Sequence, residues 1–279
     1  MTPTPVLSIV VVSFNTRADL HNCLASLQAA ALTLAHEIVV VDNASGDGSA
    51  AMVRERWPAV GVVDAGGNLG FAAANNIGIR ASTGPYVLLL NSDTIVGAGA
   101  LETITARLAA EPDAAAAGPR IVDGNGRAEL SFGRMISPCA ELRQKILVRL
   151  HDRGVGPVAR HVEHLTRTRQ DVDWVSGACL LVRRTDALAA GLLDERYFLY
   201  GEDVDFCAGL RGLGKRILFE PEAEIVHLRG RARATRPAAS EQAYRRAHLA
   251  FYAKHHPAWY PWLRLYLRMR GKLPAAPSS

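Results

Sequence analysis

Apolar residues recur along this chain in short unbroken runs separated by stretches of helical spacing. Leu7–Ser13 is almost continuously hydrophobic, as expected of a strand buried on both faces. Arg17–Ala30 carries Leu20, Cys23, Leu24 and Leu27 at helical intervals. Glu37–Val41 predicts a second strand that runs into Asp42-Asn43-Ala44-Ser45-Gly46-Asp47-Gly48. That is loop chemistry, in which Asp47 or Ser49 can cap a helix extending through Arg56. Val60–Asp64 predicts a short strand, and Asn68–Ser82 a Gly-rich turn that continues as a small-residue helix. Tyr86–Asn91 predicts another strand and Leu101–Ala110 a helix. Strand and helix alternating at this spacing imply parallel βαβ units with right-handed crossovers.

The second half is less regular. Val172–Arg183 reads as one long strand with a break at Ser176-Gly177-Ala178. Asp203–Leu213 is expected to be helical, and Arg216–Phe219 and Ala223–His227 to be short strands. Residues 241–270 predict a helix broken around Pro257 and Pro261. Gly124–Gly126 is a turn, and no internal repeat is present. Residues 150–170 show no clear period. They hold His151, His161 and His164 among arginines, but no thiol or carboxylate completes a plausible zinc set.

Composition adds a real core, since 49% of the 279 residues are hydrophobic. The length suits one large α/β domain with additions, or two small ones. Runs such as Ile9–Val12 and Val87–Leu90 are far too short to span a bilayer. Residues 1–10 lack the charged start and apolar stretch of a signal peptide. Cys23, Cys139, Cys179 and Cys207 are scattered without a CxxC pair, so free thiols in a reducing cytosol are expected. The net charge of +5 hides an asymmetry. Residues 228–272 carry 11 Lys/Arg against one acid, whereas residues 1–227 carry 21 against 26. An acidic body with a basic, aromatic tail suits contact with anionic lipid head groups or another acidic partner; a solvated helical face, or aromatics packed on the catalytic domain or in a dimer contact, are the competing explanations.

Candidate chemistry sits at the ends of strands: Asp42, Asp93, the Glu202-Asp203 pair and His227 each follow an apolar run. In an open α/β sheet, strand ends of one polarity converge on the edge where ligands bind. A carboxylate there can hold a divalent cation that shares its remaining sites with phosphates. Each residue alone also has an ordinary structural use, as loop cap, helix cap or satisfied core histidine.

Taken in order, Ser8-Ile-Val-Val-Val-Ser-Phe-Asn15, Val39-Val-Val-Asp-Asn-Ala-Ser45, Asn68-Leu-Gly-Phe-Ala-Ala-Ala-Asn-Asn76, Leu89-Leu-Asn-Ser-Asp93, Trp174-Val-Ser-Gly-Ala178 and Gly201-Glu-Asp-Val-Asp-Phe206 strongly resemble the family 2 glycosyltransferases. Within that family the chain looks most like bacterial rhamnosyltransferases of cell-surface polysaccharide assembly. The resemblance spans residues 6–230 and implies the GT-A fold, a Rossmann-like mixed sheet flanked by helices. It implies a glycosyltransferase domain at 1–230, with a nucleotide-binding half to about residue 120 and an acceptor half from 121. Residues 231–279 then form a basic helical tail.

The resemblance also implies roles. Asp42 is expected to accept a hydrogen bond from a pyrimidine base, with Ser13 and Asn15 lining the nucleotide pocket. Asn68 and the small residues after it let backbone approach base and ribose. Asn75, Asn91, Trp174 and Gly177 complete the substrate-binding set. Where the family usually writes Asp-x-Asp, this chain has Asn91-Ser92-Asp93, so only Asp93 keeps a carboxylate for Mg²⁺ or Mn²⁺. His227 is expected to complete that metal site. Asp203 is expected to be the general base and Glu202 to hold the acceptor or tune that base. One base with no second nucleophile fits a single in-line displacement with inversion.

The expected reaction moves L-rhamnose from dTDP-L-rhamnose to a hydroxyl of a glycan or polyprenyl-linked acceptor. The expected place is the cytoplasm, at the inner face of the cell membrane. A non-catalytic sugar-nucleotide-binding partner of the same fold is the alternative, which turnover of a labelled donor separates. A nicotinamide dehydrogenase is excluded, because Ser13-Phe-Asn-Thr-Arg-Ala18 stands where Gly-x-Gly-x-x-Gly belongs. The basic tail carries no recognisable nucleic-acid module.

Overall fold

The structure is a computed structural model that describes residues 4–228 and 237–274; part of the expected tail, 231–236 and 275–279, lies outside the described residues. The first half alternates β1 (Leu7–Ser13), α1 (Arg17–Ala29), β2 (His36–Asp42), α2 (Ser49–Arg56), β3 (Gly61–Asp64), α3 (Phe71–Ala81) and β4 (Tyr86–Asn91). Then follow β5 (Thr94–Val96), α4 (Ala100–Ala109), β6 (Ala114–Val122), β7 (Phe132–Gly133), α5 (Pro138–Asp152) and α6 (Gly156–Leu165). The remainder is β8 (Gln170–Val172), β9 (Trp174–Val175), β10 (Cys179–Arg183), α7 (Arg184–Ala189), α8 (Glu202–Gly212) and β11 (Arg216–His227). Two C-terminal helices end it, α9 (Pro237–His255) and α10 (Tyr260–Met269).

Nine of these strands form one sheet in the order β3-β2-β1-β4-β10-β6-β11-β5, with β8 joined to β11. β3, β2, β1 and β4 are mutually parallel, as the alternation predicts. β10 enters antiparallel between β4 and β6, so the sheet is mixed. The central strands are continuously apolar because both faces are covered. Ile9, Val11, Leu88 and Leu90 point to one face with α1 and α4 residues such as Leu24 and Ile104. Val10, Val87 and Leu89 point to the other, against Ala72 and Ile79 of α3 and Phe206 of α8.

Three expectations are corrected. Val172–Arg183 is not one strand: β8 pairs with β11, β9 pairs with β7 in a separate two-stranded sheet, and only β10 joins the centre. Arg216–Phe219 and Ala223–His227 are instead one strand, β11, which carries a register shift between Glu220 and Glu224. The region without a clear period, 150–170, is largely helical, and β6 is an alanine-rich strand that the pattern does not reveal.

The aromatic tail also divides. Phe251 and Tyr252 of α9 are buried with Tyr197, Val204 and Ala247, whereas Trp262, Tyr266 and Met269 of α10 are exposed. Lys254 Nζ and His255 Nε2 of α9 bond the two carboxylate oxygens of Asp205 in α8, at 2.8 and 2.7 Å. No helix among the described residues is long and apolar enough to cross a membrane.

Candidate active site

Sheet register assembles the site. Ser13, at the end of β1, is level with Asp42 at the end of β2, and Val12 with Asn91 at the end of β4. Asn91 N–H donates to Ala178 O at 3.0 Å, which brings the loop before β10 to the same edge. Leu228 N–H donates to Asp93 O at 2.8 Å, which seats the end of β11 beside Asp93. Residues far apart in sequence therefore meet at one mouth, as strand polarity requires.

On the β1–β2 side, Asp42 is 5% exposed. Its Oδ2 accepts from Ser45 N–H at 3.2 Å, while Oδ1 is buried and accepts no hydrogen bond among the described residues. A buried acceptor without a donor is costly, so this atom is poised for a donor brought by a ligand. Asn15 sits at φ 56° and spends its polar groups on the facing loop: its N–H donates to Ser45 Oγ, and its Oδ1 accepts from Gly46 N–H. Asn43 Nδ2 donates to Asn68 Oδ1 at 3.0 Å, and Asn43 Oδ1 accepts from Leu69 N–H, which fastens the Gly-rich turn to the end of β2. Asn75 is buried, its Nδ2 donating to Phe71 O and its Oδ1 lacking a partner. Gly70 lies at φ 88°, and a Cβ there would stand 2.4 Å from Phe198 O, so only glycine lets the loop before α8 approach α3.

At the centre, His227 Nε2 lies 3.2 Å from Asp93 Oδ1 and 3.5 Å from Asn91 Nδ2, with Nδ1 3.7 Å from Glu129 Oε2. Burial opposes protonation of this imidazole, but the carboxylates of Asp93 and Glu129 hold its pKa up at about 9. The pocket is thus one that favours positive charge. Among the described residues no three His, Cys, Asp or Glu side chains form a metal-holding group. Asp93 and His227 nevertheless present one carboxylate and, once the imidazole gives up its proton, one ring nitrogen, a donor set that a divalent cation accepts when diphosphate oxygens complete its shell.

At the start of α8, Tyr200 at φ 71° and Gly201 at φ 81° swing the chain into the helix. A bulky residue in that region is strained, and the strain falls directly before the acidic pair. Asp203 Oδ2 accepts from Gly177 N–H at 2.9 Å and Oδ1 from Val204 N–H at 2.8 Å. A Cβ on Gly177 would lie 3.3 Å from Phe71 and 3.4 Å from Asp203, so the glycine lets helix and loop close on each other. Burial raises the Asp203 pKa despite those backbone donors. Glu202, 5% exposed, is raised well above the usual range by burial and by the Asp203 charge, and its Oε2 has no hydrogen-bond partner. Trp174 Nε1 donates to Arg134 O at 2.9 Å, which fixes the indole beside this wall.

Sequence reasoning did not pick out Glu129, Asn43, Tyr200 or the hydroxyl chain Ser92–Thr16–Ser13, whose links are 3.0 Å each. Asn43 was within reach, since it follows Asp42 in the loop motif. Glu129 follows an ordinary turn and carries no local signal.

The mixed sheet flanked by helices has the GT-A fold, which solved glycosyltransferases share. A mannosyltransferase from Pyrobaculum calidifontis, solved with GDP-Man and Mn²⁺, superposes at a TM-score of 0.61 with 19% identity, over 94% of this chain and 69% of that one. GalNAc-T7, solved with UDP, GalNAc and Mn²⁺, also gives 0.61, at 15% identity, over 93% of this chain and 50% of that one. Residues 8–169 match the family described as glycosyl transferase family 2. Over 272 residues the chain is 31% identical to N-acetylglucosaminyl-diphospho-decaprenol L-rhamnosyltransferase of Mycobacterium tuberculosis, covering 92% of this chain and 87% of that protein. A low-salt glycan biosynthesis hexosyltransferase of Haloferax volcanii is 26% identical over 208 residues, covering 72% of this chain and 60% of that protein. The chain belongs to glycosyltransferase family 2, and it is an enzyme with rhamnosyltransferase relatives.

Proposed function

We propose that this enzyme transfers L-rhamnose from dTDP-L-rhamnose, with inversion, to a sugar hydroxyl of N-acetylglucosaminyl-diphospho-polyprenol in cell-surface polysaccharide synthesis. The donor and acceptor follow the relative that is alike over nearly its whole length. The observation that carries the chemistry is Asp203 seated on Gly177 N–H beside the mouth that Asp42, Asp93 and His227 share.

Asp42 Oδ1 is the acceptor for the N–H of a thymine or uracil ring, with Ser13, Asn15 and Asn68 shaping the pocket around the nucleoside. Asn75, Asn91, Trp174 and Gly177 border the bound sugars. Asp203 takes the proton of the acceptor hydroxyl as that oxygen bonds to the anomeric carbon. The bond from that carbon to the diphosphate breaks, and dTDP leaves with the electron pair. A proton affinity raised by burial suits a base that must hold what it receives. Glu202, behind it, accepts a hydroxyl of the acceptor or sets the proton affinity of Asp203. Asp93 and His227 would hold Mg²⁺ or Mn²⁺, which supplies Lewis-acid neutralisation of the departing diphosphate. An acceptor on a polyprenol places the reaction at a membrane surface, with the enzyme peripheral to it on the cytoplasmic side.

The test is release of dTDP from dTDP-L-rhamnose with the lipid-linked acceptor, compared between the wild type and Asp203→Asn. Turnover is expected to fall by about 10²–10⁴ while dTDP affinity is unchanged. Wild-type turnover by the variant would move the base to Glu202. Donor binding without turnover in the wild type would instead identify a sugar-nucleotide-binding subunit.

A further inference from the structure

Among the described residues, the tail leaves one helix uncovered on its outer side. α9 is absorbed by the catalytic body through Phe251, Tyr252 and the Asp205 bonds. α10 continues from it and rests on the body through Tyr260, Leu263 and Leu267. Its other side carries Trp259, Trp262, Leu265, Tyr266 and Met269, all exposed, with Trp262 at 66% and Met269 at 72%. Intervals of three and four residues place them on a single stripe. Arg268 and Arg270 are exposed on its two flanks, whereas Arg264, also exposed, lies farther round the helix. Arg264 lies over the Tyr260 ring and Arg270 over the Tyr266 ring, at 5.7 and 6.0 Å.

We infer that α10 is an in-plane membrane-docking helix whose stripe enters the head-group region of an anionic bilayer. At ten residues it is too short to cross and long enough to lie flat. Tryptophan and tyrosine favour the interface, where the ring is buried and its polar edge stays wet. Charge selects the occupant. Residues 242–279 contain no acidic side chain. A second copy docking on this face by two-fold symmetry would set Arg268 and Arg270 against their own like. Anionic lipid satisfies stripe and arginines together. The purpose of docking rests on the lipid-linked acceptor proposed above; the docking itself does not.

The full chain is sedimented with vesicles of phosphatidylcholine alone and of phosphatidylglycerol mixed with phosphatidylcholine. The wild type is expected to bind the mixed vesicles. Trp262→Asp combined with Met269→Asp is expected to weaken binding by about tenfold or more. Arg268→Gln combined with Arg270→Gln is expected to weaken binding to the mixed vesicles roughly 30-fold, leaving any binding to neutral vesicles unchanged. Because these side chains are exposed, both variants should melt with the wild type. A wild type that stays in the supernatant with both vesicle types overturns the inference, as does a stripe variant that binds fully. A dimer that the stripe variant converts to monomer, with vesicle binding unaltered, overturns it in favour of self-association. Release of dTDP with a short-chain, water-soluble acceptor should be equal in wild type and variants. Its absence from the wild type would sink the proposed reaction while vesicle binding still stood.

Discussion

Asp42 and Asn15 show what a strand end does and does not reveal. Both stand at strand ends on the mouth of the sheet, where the proposed reaction places the nucleotide. Asn15 spends its side-chain oxygen on Gly46 N–H, while Asp42 keeps Oδ1 buried and unbonded. Residue type and position were legible in both cases; the difference lies in which partner the folded loop supplies. Asp42→Asn is therefore expected to turn an acceptor into a potential donor facing the base N–H. Loss of a charge-assisted bond of about 1.5–3 kcal/mol corresponds to roughly 10–150-fold weaker dTDP binding. Titration calorimetry measures it, and an unchanged affinity would remove Asp42 from base recognition. Asp93→Ala tests the neighbouring role. Manganese affinity measured with dTDP present should fall, and full wild-type turnover in excess EDTA would show that no cation is needed. Glu129, which flanks His227, escaped sequence reading because its relation to that histidine exists only in three dimensions.

Elements were legible where both faces of a strand are apolar, as in β1 and β4, since no other use of such short runs is common. β6 failed that test for a physical reason. Its Ala114–Ala117 run carries almost no strand preference, and it is a strand because it fills the slot between β10 and β11. At Gly118 an added Cβ would lie 2.5 Å from Val175 of β9, so the glycine lets β9 pack closely over the face of this strand. α5 and α9 depend on each other in a comparable way. Glu141 of α5 accepts from His248 Nε2 and from Tyr252 Oη, both at 2.9 Å. Burial works to raise the Glu141 pKa, yet His248 and Lys145 bring it down from 4.5 to about 2. A carboxyl with a depressed folded pKa contributes stability that is complete above its unfolded value and is lost as pH falls. The α5–α9 contact should accordingly weaken between about pH 4.5 and about pH 2. Melting temperature measured across that range should fall less steeply for Glu141→Gln than for the wild type. Parallel curves would assign the acid sensitivity to other carboxylates.

At the scale of the molecule, the two C-terminal helices have different relations to the catalytic body, and truncation separates them. A chain ending at Pro257 loses α10 but keeps Phe251 and Tyr252 packed against Tyr197 and Val204, and keeps Lys254 and His255 on Asp205. It should fold, release dTDP with a water-soluble acceptor, and lose its affinity for anionic vesicles. A chain ending before Pro237 uncovers Tyr197 and Val204 and removes Lys254 and His255 from Asp205, which is 3% exposed. Removing the partners of a buried charge costs about 3–5 kcal/mol. Lys254 and His255 are themselves partly exposed, so the low end applies, and the Tyr197 hydroxyl remains on Asp205 at 3.1 Å. Uncovered apolar surface adds to that cost. The loss falls on α8, two residues beyond the proposed base, so turnover should collapse together with stability. Calorimetry and dTDP release on the two truncations measure this. If the shorter chain melted with the wild type, α9 would not belong to the catalytic body, and the division of the tail between its two helices would fail.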